Sequence, residues 1–206
     1  MNSLYKKYII AKRERFKKKL KKRLEIKDFS LITNNCAGGV IYNNLGLKFT
    51  SPTVNLYILD EDYILFCEHA CDFIKNGVLK ERQSEFSYPS GELTCSSGKV
   101  TIYFMHYSSF QEAESKWQER CKRVNFDNLC FVYEVTDKFE EVLAERFLSL
   151  PHKKAIITAN KSIKNTLCKY IPVNKKFEFG VLLQYKSKLS AKRWLDDWDY
   201  VSFLNA

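Results

Sequence analysis

The sequence predicts a layered α/β domain, with a mostly parallel sheet flanked by helices and a basic helix at the N-terminus. Short apolar runs typical of buried strands alternate with helical patterns, which favours parallel strands joined by helices. Of the 206 residues, 45% are hydrophobic and 15% aromatic, enough to fill one core. No apolar run reaches about 18 residues, so we expect no transmembrane helix. The predicted organisation is a basic amphipathic helix over 1–28 and a single α/β domain over 29–206.

The N-terminal segment 1–28 carries most of the basic excess. It holds 12 Lys and Arg against three acids, in a chain of net charge +10. Its large apolar residues recur at multiples of four: Leu4, Tyr8, Phe16, Leu20 and Leu24. We expect Tyr8, Phe16 and Leu20 to enter an anionic membrane surface, and a chain beginning near Asp28 to fold normally. A solvated helix is the alternative, and no nucleic-acid partner is expected because no stacking platform is evident.

The first half of the body alternates strands, loops and helices. We predict a strand over 29–33, a tight loop over 34–39, a helix over 40–45 ended by Gly46, a strand over 53–58, a helix over 60–76, and a loop or hairpin over 84–98. This order is typical of an α/β fold.

The second half begins with the clearest strand, over 99–105, which ends at His106. Ser109 and Glu112 match a capping box that opens a helix with one apolar face. Strands over 129–135 and 155–158 and helices over 138–148 and 160–170 follow. The aromatic C-terminal stretch, with Trp194, Trp198, Tyr200 and Phe203, is expected to dock on the body.

The seven cysteines show no disulfide-framework spacing, and no signal-peptide pattern precedes them. We therefore expect reduced thiols and a cytoplasmic protein, held peripherally at the inner face of the plasma membrane by residues 1–28. Cys67, His69 and Cys71 have a metal-like spacing, but only the two cysteines share a helix face. No metal is predicted.

Three polar loops follow predicted strands, where ligands gather in an open parallel sheet. They contain Asn34, Asn35 and Cys36 in the first loop, His106 in the second and Asn160 in the third. These residues are the predicted centre of the site.

Cys36 precedes a Gly-Gly helix start, so the helix dipole is expected to lower the pKa of its thiol. The amides of Gly38 and Gly39 are expected to bind an oxyanion, and His106 to act as general base. The alternatives are a structural cysteine at a tight turn and a histidine that caps the next helix.

Lys116, Arg120 and Arg123 recur along the helix after His106 and form a basic stripe. We expect this stripe to hold a phosphate, with a solvated helix face as the alternative. P-loop, dinucleotide-binding and hydrolase-elbow motifs do not occur, so those mechanisms have no support.

Several motifs together resemble a bacterial family of uncharacterised domains that is labelled exopolysaccharide biosynthesis protein. The resemblance covers roughly residues 25 to 204. Its motifs are Ile32-Thr-Asn-Asn-Cys-Ala-Gly-Gly39, Asn44-Leu-Gly-Leu47, Ser51-Pro52, Asp62-Tyr63, Tyr88-Pro-Ser-Gly91, Phe104-Met-His-Tyr-Ser-Ser-Phe-Gln-Glu-Ala113, Lys116-Trp117, Arg120, Arg123 and Asn125-Phe-Asp-Asn-Leu129. The Asn-Cys loop also resembles, more distantly, polysaccharide-modifying acyltransferase-like proteins.

The resemblance implies a role in capsule or cell-surface polysaccharide assembly. With the loop chemistry, it leads us to expect a transferase that moves an acyl group onto a sugar or lipid-linked saccharide, with an acyl donor such as acetyl-CoA. The alternatives are a glycosyltransferase that uses a nucleotide sugar and a non-catalytic sugar-binding or assembly protein. Inactivation by thiol alkylation favours the first, and stabilisation by nucleotide diphosphates favours the second.

Overall fold

The computed structural model describes residues 3–136, 138–176 and 178–206 and has a mixed α/β architecture with two sheets. Its helices are α1 (Ser3–Arg23), α2 (Ala37–Leu45), α3 (Asp60–Glu68), α4 (Ala70–Asn76), α5 (Phe110–Cys121), α6 (Glu141–Ser149) and α7 (Tyr200–Asn205). Its strands are β1 (Ser30–Thr33), β2 (Val78–Arg82), β3 (Ser90–Cys95), β4 (Gly98–Tyr103), β5 (Leu129–Glu134), β6 (Lys153–Thr158) and β7 (Lys169–Tyr170). The predicted α/β class is confirmed, but the strands divide between a parallel and an antiparallel sheet.

The larger sheet is parallel throughout and has the strand order β1-β5-β6-β7. Successive residues of β5 contribute to different core clusters. Phe131 packs with α3, α5 and α6, whereas Val132 packs with α2 and the C-terminal segment, residues 194–206. Side chains of a strand alternate between the sheet faces, which explains this division. The carboxyl ends of β1 and β5 are therefore supported from both faces.

The smaller sheet is antiparallel, with the order β2-β3-β4. It contains the predicted strand before His106 as β4, so His106 does not follow a strand of the parallel sheet as we expected. Leu93 and Ile102 face inward and pack in the same core cluster as Phe131, with α3, α5 and α6. Residues 84–98, predicted as a loop or hairpin, contain the loop between β2 and β3, strand β3 itself and the tight turn into β4, so they belong to two successive hairpins.

The predicted strand over 53–58 is wrong. Asn55 has a backbone φ of 65°, outside the extended region, and only Tyr57 makes a bridge, to Tyr103. The segment instead crosses the end of β1, where the amide of Ile58 donates to the carbonyl of Asn34 at 2.9 Å. It forms a wall beside that strand end.

The predicted helix over 160–170 is also wrong. The side chains of Asn160 and Asn165 accept hydrogen bonds from the amides of Ser162 and Leu167, at 3.0 and 2.8 Å. These local turns compete with helical hydrogen bonding, which explains why the chain bends here before β7.

Helix α1 packs against α2 and the C-terminal segment. Leu20 and Leu24 are buried, and Phe16 is partly buried against the same cluster. This packing contradicts the expected insertion of Phe16 and Leu20 into a membrane, while Tyr8 remains 57% exposed. No helix in the described ranges is long and apolar enough to cross a membrane.

The C-terminal segment docks on the body as predicted. Trp194, Trp198 and Tyr200 are buried in the cluster that also receives Leu20 and Leu24. Removal of residues 1–27 would uncover this cluster, so the shortened chain is not expected to fold normally.

Candidate functional site

Cys36 and His106 line the same cleft, which we call the basic cleft. It has a volume of about 600 Å³. The lining residues are Arg13, Lys17, Cys36, Gly39, Val40, Asn43, Asn44, Phe49, Asn55, His106, Leu183, Tyr185 and Arg193. The arrangement brings together the predicted nucleophile and the predicted base, although they come from different sheets.

One wall of the basic cleft is a single face of α2. Cys36 is the N-cap residue of this helix, and Gly39, Val40 and Asn43 follow it at helical spacing. Because α2 begins directly after β1, the sequence of this turn places the thiol at the carboxyl edge of the parallel sheet, as predicted.

The opposite walls supply positive charge. Lys17 lies at 3.2 Å from Glu14 and donates to Oδ1 of Asn43 at 3.1 Å. Arg193 stacks on the ring of Tyr185 at 4.6 Å, and its guanidinium donates to the carbonyl of Leu183. In the described part of the chain, no Asp or Glu lines the cleft and no carboxylate pairs with Arg193.

Arg13 is fixed by a buried polar network behind the cleft wall. Its guanidinium pairs with Asp196 and donates to Oδ1 of Asn44 at 2.5 Å and to the carbonyl of Ala191 at 3.0 Å. The Asn44 amide in turn donates to Oη of Tyr200 at 2.9 Å. These bonds compensate the buried charge and hold α1, α2 and the C-terminal segment in one arrangement.

The thiol of Cys36 is not activated in the way we predicted. Burial, followed by the nearby carboxylate of Glu134, raises its pKa to about 11, although it lies at a helix N-terminus. Its Sγ donates to the carbonyl of Leu56 at 3.8 Å. Desolvation of the thiolate outweighs the helix dipole, so Cys36 is a neutral thiol near pH 7.

The two glycines serve close packing. The amide of Gly38 donates to Oγ1 of Thr33 at 3.3 Å and is therefore already engaged, contrary to its predicted role in binding an oxyanion. A Cβ on Gly38 would lie 2.9 Å from that same oxygen, and a Cβ on Gly39 3.1 Å from Oδ1 of Asn55. The absence of side chains lets β1 and the 53–58 segment approach α2.

Asn34 and Asn35 are buried and hold one residue that sequence reasoning missed, Glu134. Asn34 exchanges two hydrogen bonds of 3.0 Å with the backbone of Glu134. The Asn35 amide donates to Oε2 of Glu134 at 2.7 Å, while Oε1 is buried without a hydrogen-bond partner. Burial raises the pKa of Glu134 to about 7. The sequence did contain one signal for a buried carboxyl here, because Glu134 is an acid at the end of the apolar run Leu129–Glu134.

The predicted phosphate-binding stripe on α5 is not assembled. Arg120 is buried and donates to the carbonyl of Val54 at 2.8 Å and to Oη of Tyr107 at 2.6 Å. Lys116 and Arg123 both bind Glu119, at 3.2 and 3.0 Å. Arg120 thus supports the wall of the basic cleft from behind, whereas Lys116 lies on a solvated face and Arg123 is partly buried beside it.

Asn160 lies at the end of β6 and outside the basic cleft. Its amide donates to Oγ1 of Thr158 at 3.0 Å and its side chain to the carbonyl of Thr136 at 3.5 Å, so it organises a turn. Among the described residues, no group of three His, Cys, Asp or Glu is placed to hold a metal ion.

The cations of the basic cleft were also missed by sequence reasoning. Arg13 and Lys17 belong to the basic N-terminal run, where nothing distinguishes them from their neighbours. Arg13 pairs with Asp196, which is distant in sequence, and Lys17 bonds to Asn43, which no sequence motif marks. Only the fold therefore identifies Arg13 and Lys17 as cleft residues.

Two comparisons with known proteins place the chain among relatives. Residues 7–205 match the model of a family described as "Domain of unknown function (DUF1919)". An uncharacterized protein of Haemophilus influenzae is 33% identical over 200 residues, which cover 95% of this chain and 94% of that protein. The similarity therefore extends over both sheets and α1.

Proposed function

From the premise that the chain belongs to the DUF1919 family, we propose that it is a transferase of bacterial cell-surface polysaccharide assembly that acts on a phosphate-bearing saccharide. The observation that carries this proposal is the basic cleft itself, in which Cys36 and His106 lie among cations. Cationic side chains at a concave site favour an anionic ligand. The resemblance to exopolysaccharide biosynthesis proteins supports the saccharide assignment.

The reaction that uses both predicted catalytic residues is acyl transfer. The Cys36 thiol attacks the carbonyl carbon of an acyl thioester such as acetyl-CoA, and its proton passes to His106. The bond to the donor sulfur breaks, and His106 returns the proton to the leaving thiol. A sugar hydroxyl then attacks the acyl-Cys36 thioester, and its proton passes through His106 to the departing Cys36 sulfur.

In this scheme Lys17 and Arg193 hold the phosphate of the acceptor, in place of the α5 stripe. A neutral thiol is compatible with the scheme, because the base removes its proton during attack. The shared cleft of Cys36 and His106 favours acyl transfer.

A nucleotide-sugar glycosyltransferase is the second candidate, favoured by the raised pKa of Cys36 and by the basic lining. In that reaction the cations hold the diphosphate of the donor and Cys36 forms no covalent bond. The two candidates differ in one measurable species, the acyl-enzyme.

The test is incubation of the purified full chain with acetyl-CoA, followed by peptide mass mapping. We expect one acetyl group on Cys36, no adduct in Cys36→Ala and slower formation in His106→Asn. Cys71→Ala and His69→Asn are the matched controls, since neither residue lines the cleft. Equal acetylation of Cys36 and the exposed Cys71 would contradict acyl transfer.

We further propose that the outer face of α1 binds an anionic membrane surface. Its exposed basic side chains include Lys7, Lys12, Arg15, Lys18, Lys19 and Lys22. Each Lys or Arg near such a surface contributes about 1 kcal/mol, so a docked helix binds without inserting Phe16 or Leu20.

This proposal is tested by sedimentation with phosphatidylglycerol vesicles at low salt. Charge reversal of Lys18, Lys19 and Lys22 is expected to abolish sedimentation, because these side chains are exposed and leave the core intact. Reversal of the exposed Lys161, Lys164 and Lys169 is the control. Equal loss in both triple variants would show a general charge effect and contradict a specific role of α1.

A further inference from the structure

Five aromatic rings form a continuous surface beside the basic cleft, which we call the aromatic strip. In spatial order its members are Phe179, Tyr57, Tyr103, Phe86 and Tyr88. Successive ring centroids lie 4.9, 6.3, 5.6 and 5.0 Å apart. Aromatic rings at these separations interact, so the five rings make one connected face.

The aromatic strip is open to solvent at Phe86 and Phe179. Phe179, the first ring, is 46% exposed, Phe86, next to the last ring, is 53% exposed, and none of the five rings belongs to either core cluster. Large apolar side chains that are exposed together mark interaction surfaces, whereas isolated ones do not. Truncation of Phe86 or Phe179 therefore removes contact surface without emptying the core.

The aromatic strip is joined through the backbone of the 53–58 segment to the wall of the basic cleft. Asn55 lines the cleft, and Tyr57 follows it after Leu56, whose carbonyl accepts from the Cys36 thiol. The backbones of Tyr57 and Tyr103 exchange hydrogen bonds of 2.8 and 2.9 Å, which fix the two central rings. An extended ligand with one end in the cleft can leave it along these rings.

The far end of the strip adds hydrogen-bonding groups to the rings. A hollow of about 50 Å³ there is lined by Arg82, Gln83, Glu85 and Ser90, with Phe86 and Tyr103. A pyranose ring presents an apolar C–H face that stacks on an aromatic ring and hydroxyl groups that need polar partners. A lipid chain uses only the first kind of contact, so the mixture of rings and polar side chains favours a sugar.

We propose that the aromatic strip binds a neutral saccharide chain, the part of the acceptor that extends away from the reacting end. This inference rests on the proposed function, because the acceptor enters the basic cleft at one end of the strip. It adds a binding surface that the transfer chemistry does not require.

The test is affinity electrophoresis of the full chain through gels that contain dextran, mannan or hydroxyethyl cellulose. We expect at least one of these neutral polysaccharides to retard the protein. Phe86→Ala and Phe179→Ala are each expected to raise the Kd about fivefold. Tyr8→Ala is the matched control, because this ring is 57% exposed on α1 and lies outside the strip.

The inference is overturned if no polysaccharide retards the protein, or if the two Phe variants migrate as the unmodified chain does. Retardation by a proline-rich peptide matrix without any polysaccharide binding also overturns it. Cys36→Ala separates the two proposals, because it removes acyl transfer and leaves retardation unchanged. Retardation without any transferase activity would contradict the proposed function alone.

Discussion

The basic cleft and the predicted α5 stripe each contain three basic side chains, and they differ in how those side chains are held. In the cleft, Arg13 and Lys17 pair with Asp196 and Glu14, while the guanidinium of Arg193 has no carboxylate partner in the described chain. In the stripe, Lys116 and Arg123 both pair with Glu119, and Arg120 is buried against the body. The cleft therefore keeps an unpaired cation at a concave surface, and the stripe does not.

The comparison shows that a regular spacing of cations is weaker evidence for an anion site than their partners in the fold. Arg120 illustrates the point, because its charge is used to hold the Val54 carbonyl and thereby the 53–58 segment. Its contribution to the site is indirect. The following predictions compare each buried or cleft group with an exposed group of the same kind.

The largest effect is expected from Asp196→Ala. The variant leaves Arg13 buried and unpaired, so the free energy of unfolding should fall by about 3–5 kcal/mol. Asp197→Ala removes a partly exposed pair with Lys186 and should cost about 0–1 kcal/mol. Urea denaturation of both variants gives the two values. Equal losses would mean that the network does not fix α1.

Glu134 is expected to make stability depend on pH. Burial raises its pKa from 4.5 to about 7, so between these values the folded chain keeps a proton that the unfolded chain has released. Stability therefore falls as pH rises through this window, by roughly 3 kcal/mol, and is fully retained below the unfolded pKa. Above pH 7 no further loss comes from this group.

Glu134→Gln should remove this dependence, because the amide stays neutral at every pH. Its melting temperature relative to the unmodified chain should rise steadily from pH 4.5 to about 7. Glu145→Gln, at an exposed position on α6, should follow the unmodified chain. If the melting temperatures of Glu134→Gln and the unmodified chain instead changed in parallel with pH, the Glu134 carboxyl would be ionised in the folded state.

A smaller difference is expected between Arg120→Ala and Arg123→Ala. Arg120→Ala breaks two hydrogen bonds behind the cleft wall and should cost about 2 kcal/mol. Arg123→Ala removes a surface pair and should cost about 0.5 kcal/mol. Chemical denaturation measures both. If the Arg123 variant is the less stable one, the stripe has a structural role that these contacts do not explain.

The smallest effect concerns ligand binding. Lys17→Ala should weaken binding of pyrophosphate about tenfold, because a charge-assisted contact is worth about 1.5 kcal/mol or more. Lys12→Ala removes the same charge from the exposed face of α1 and should leave the affinity nearly unchanged. Isothermal titration calorimetry at fixed ionic strength distinguishes the two. A similar loss in both variants would indicate long-range attraction only.

The turn from β1 into α2 was predictable because its signals are local. The apolar run before Asn34, the two glycines and Gly46 with its φ of 66° define a strand, a tight turn and a helix end. The positions of Cys36 and His106 in loops after strands were predictable for the same reason. The environment of the Cys36 thiol was not predictable, because its hydrogen-bond acceptor Leu56 and the nearby Glu134, whose charge adds to the effect of burial on the thiol pKa, are distant in sequence.

The errors have two physical origins, contacts made across the fold and local side-chain hydrogen bonds. The 53–58 segment is rich in strand-forming residues but is held by the end of β1, and Asn160 and Asn165 form turns that override a helical pattern. In α1, the sequence shows many equivalent basic residues, and only docking against Asp196 separates the inner face from the outer face. Tertiary contacts decided the 53–58 segment and α1, and local side-chain hydrogen bonds decided the 160–170 segment.

The most direct test of the central claim is alkylation of Cys36 by iodoacetamide with and without pyrophosphate. Peptide mapping follows Cys36 in the basic cleft and, as an internal control, the exposed Cys71. We predict that pyrophosphate slows alkylation of Cys36 at least severalfold and leaves Cys71 unaffected. Unchanged alkylation of Cys36 at saturating pyrophosphate would contradict the assignment of this cleft as the site for a phosphate-bearing substrate.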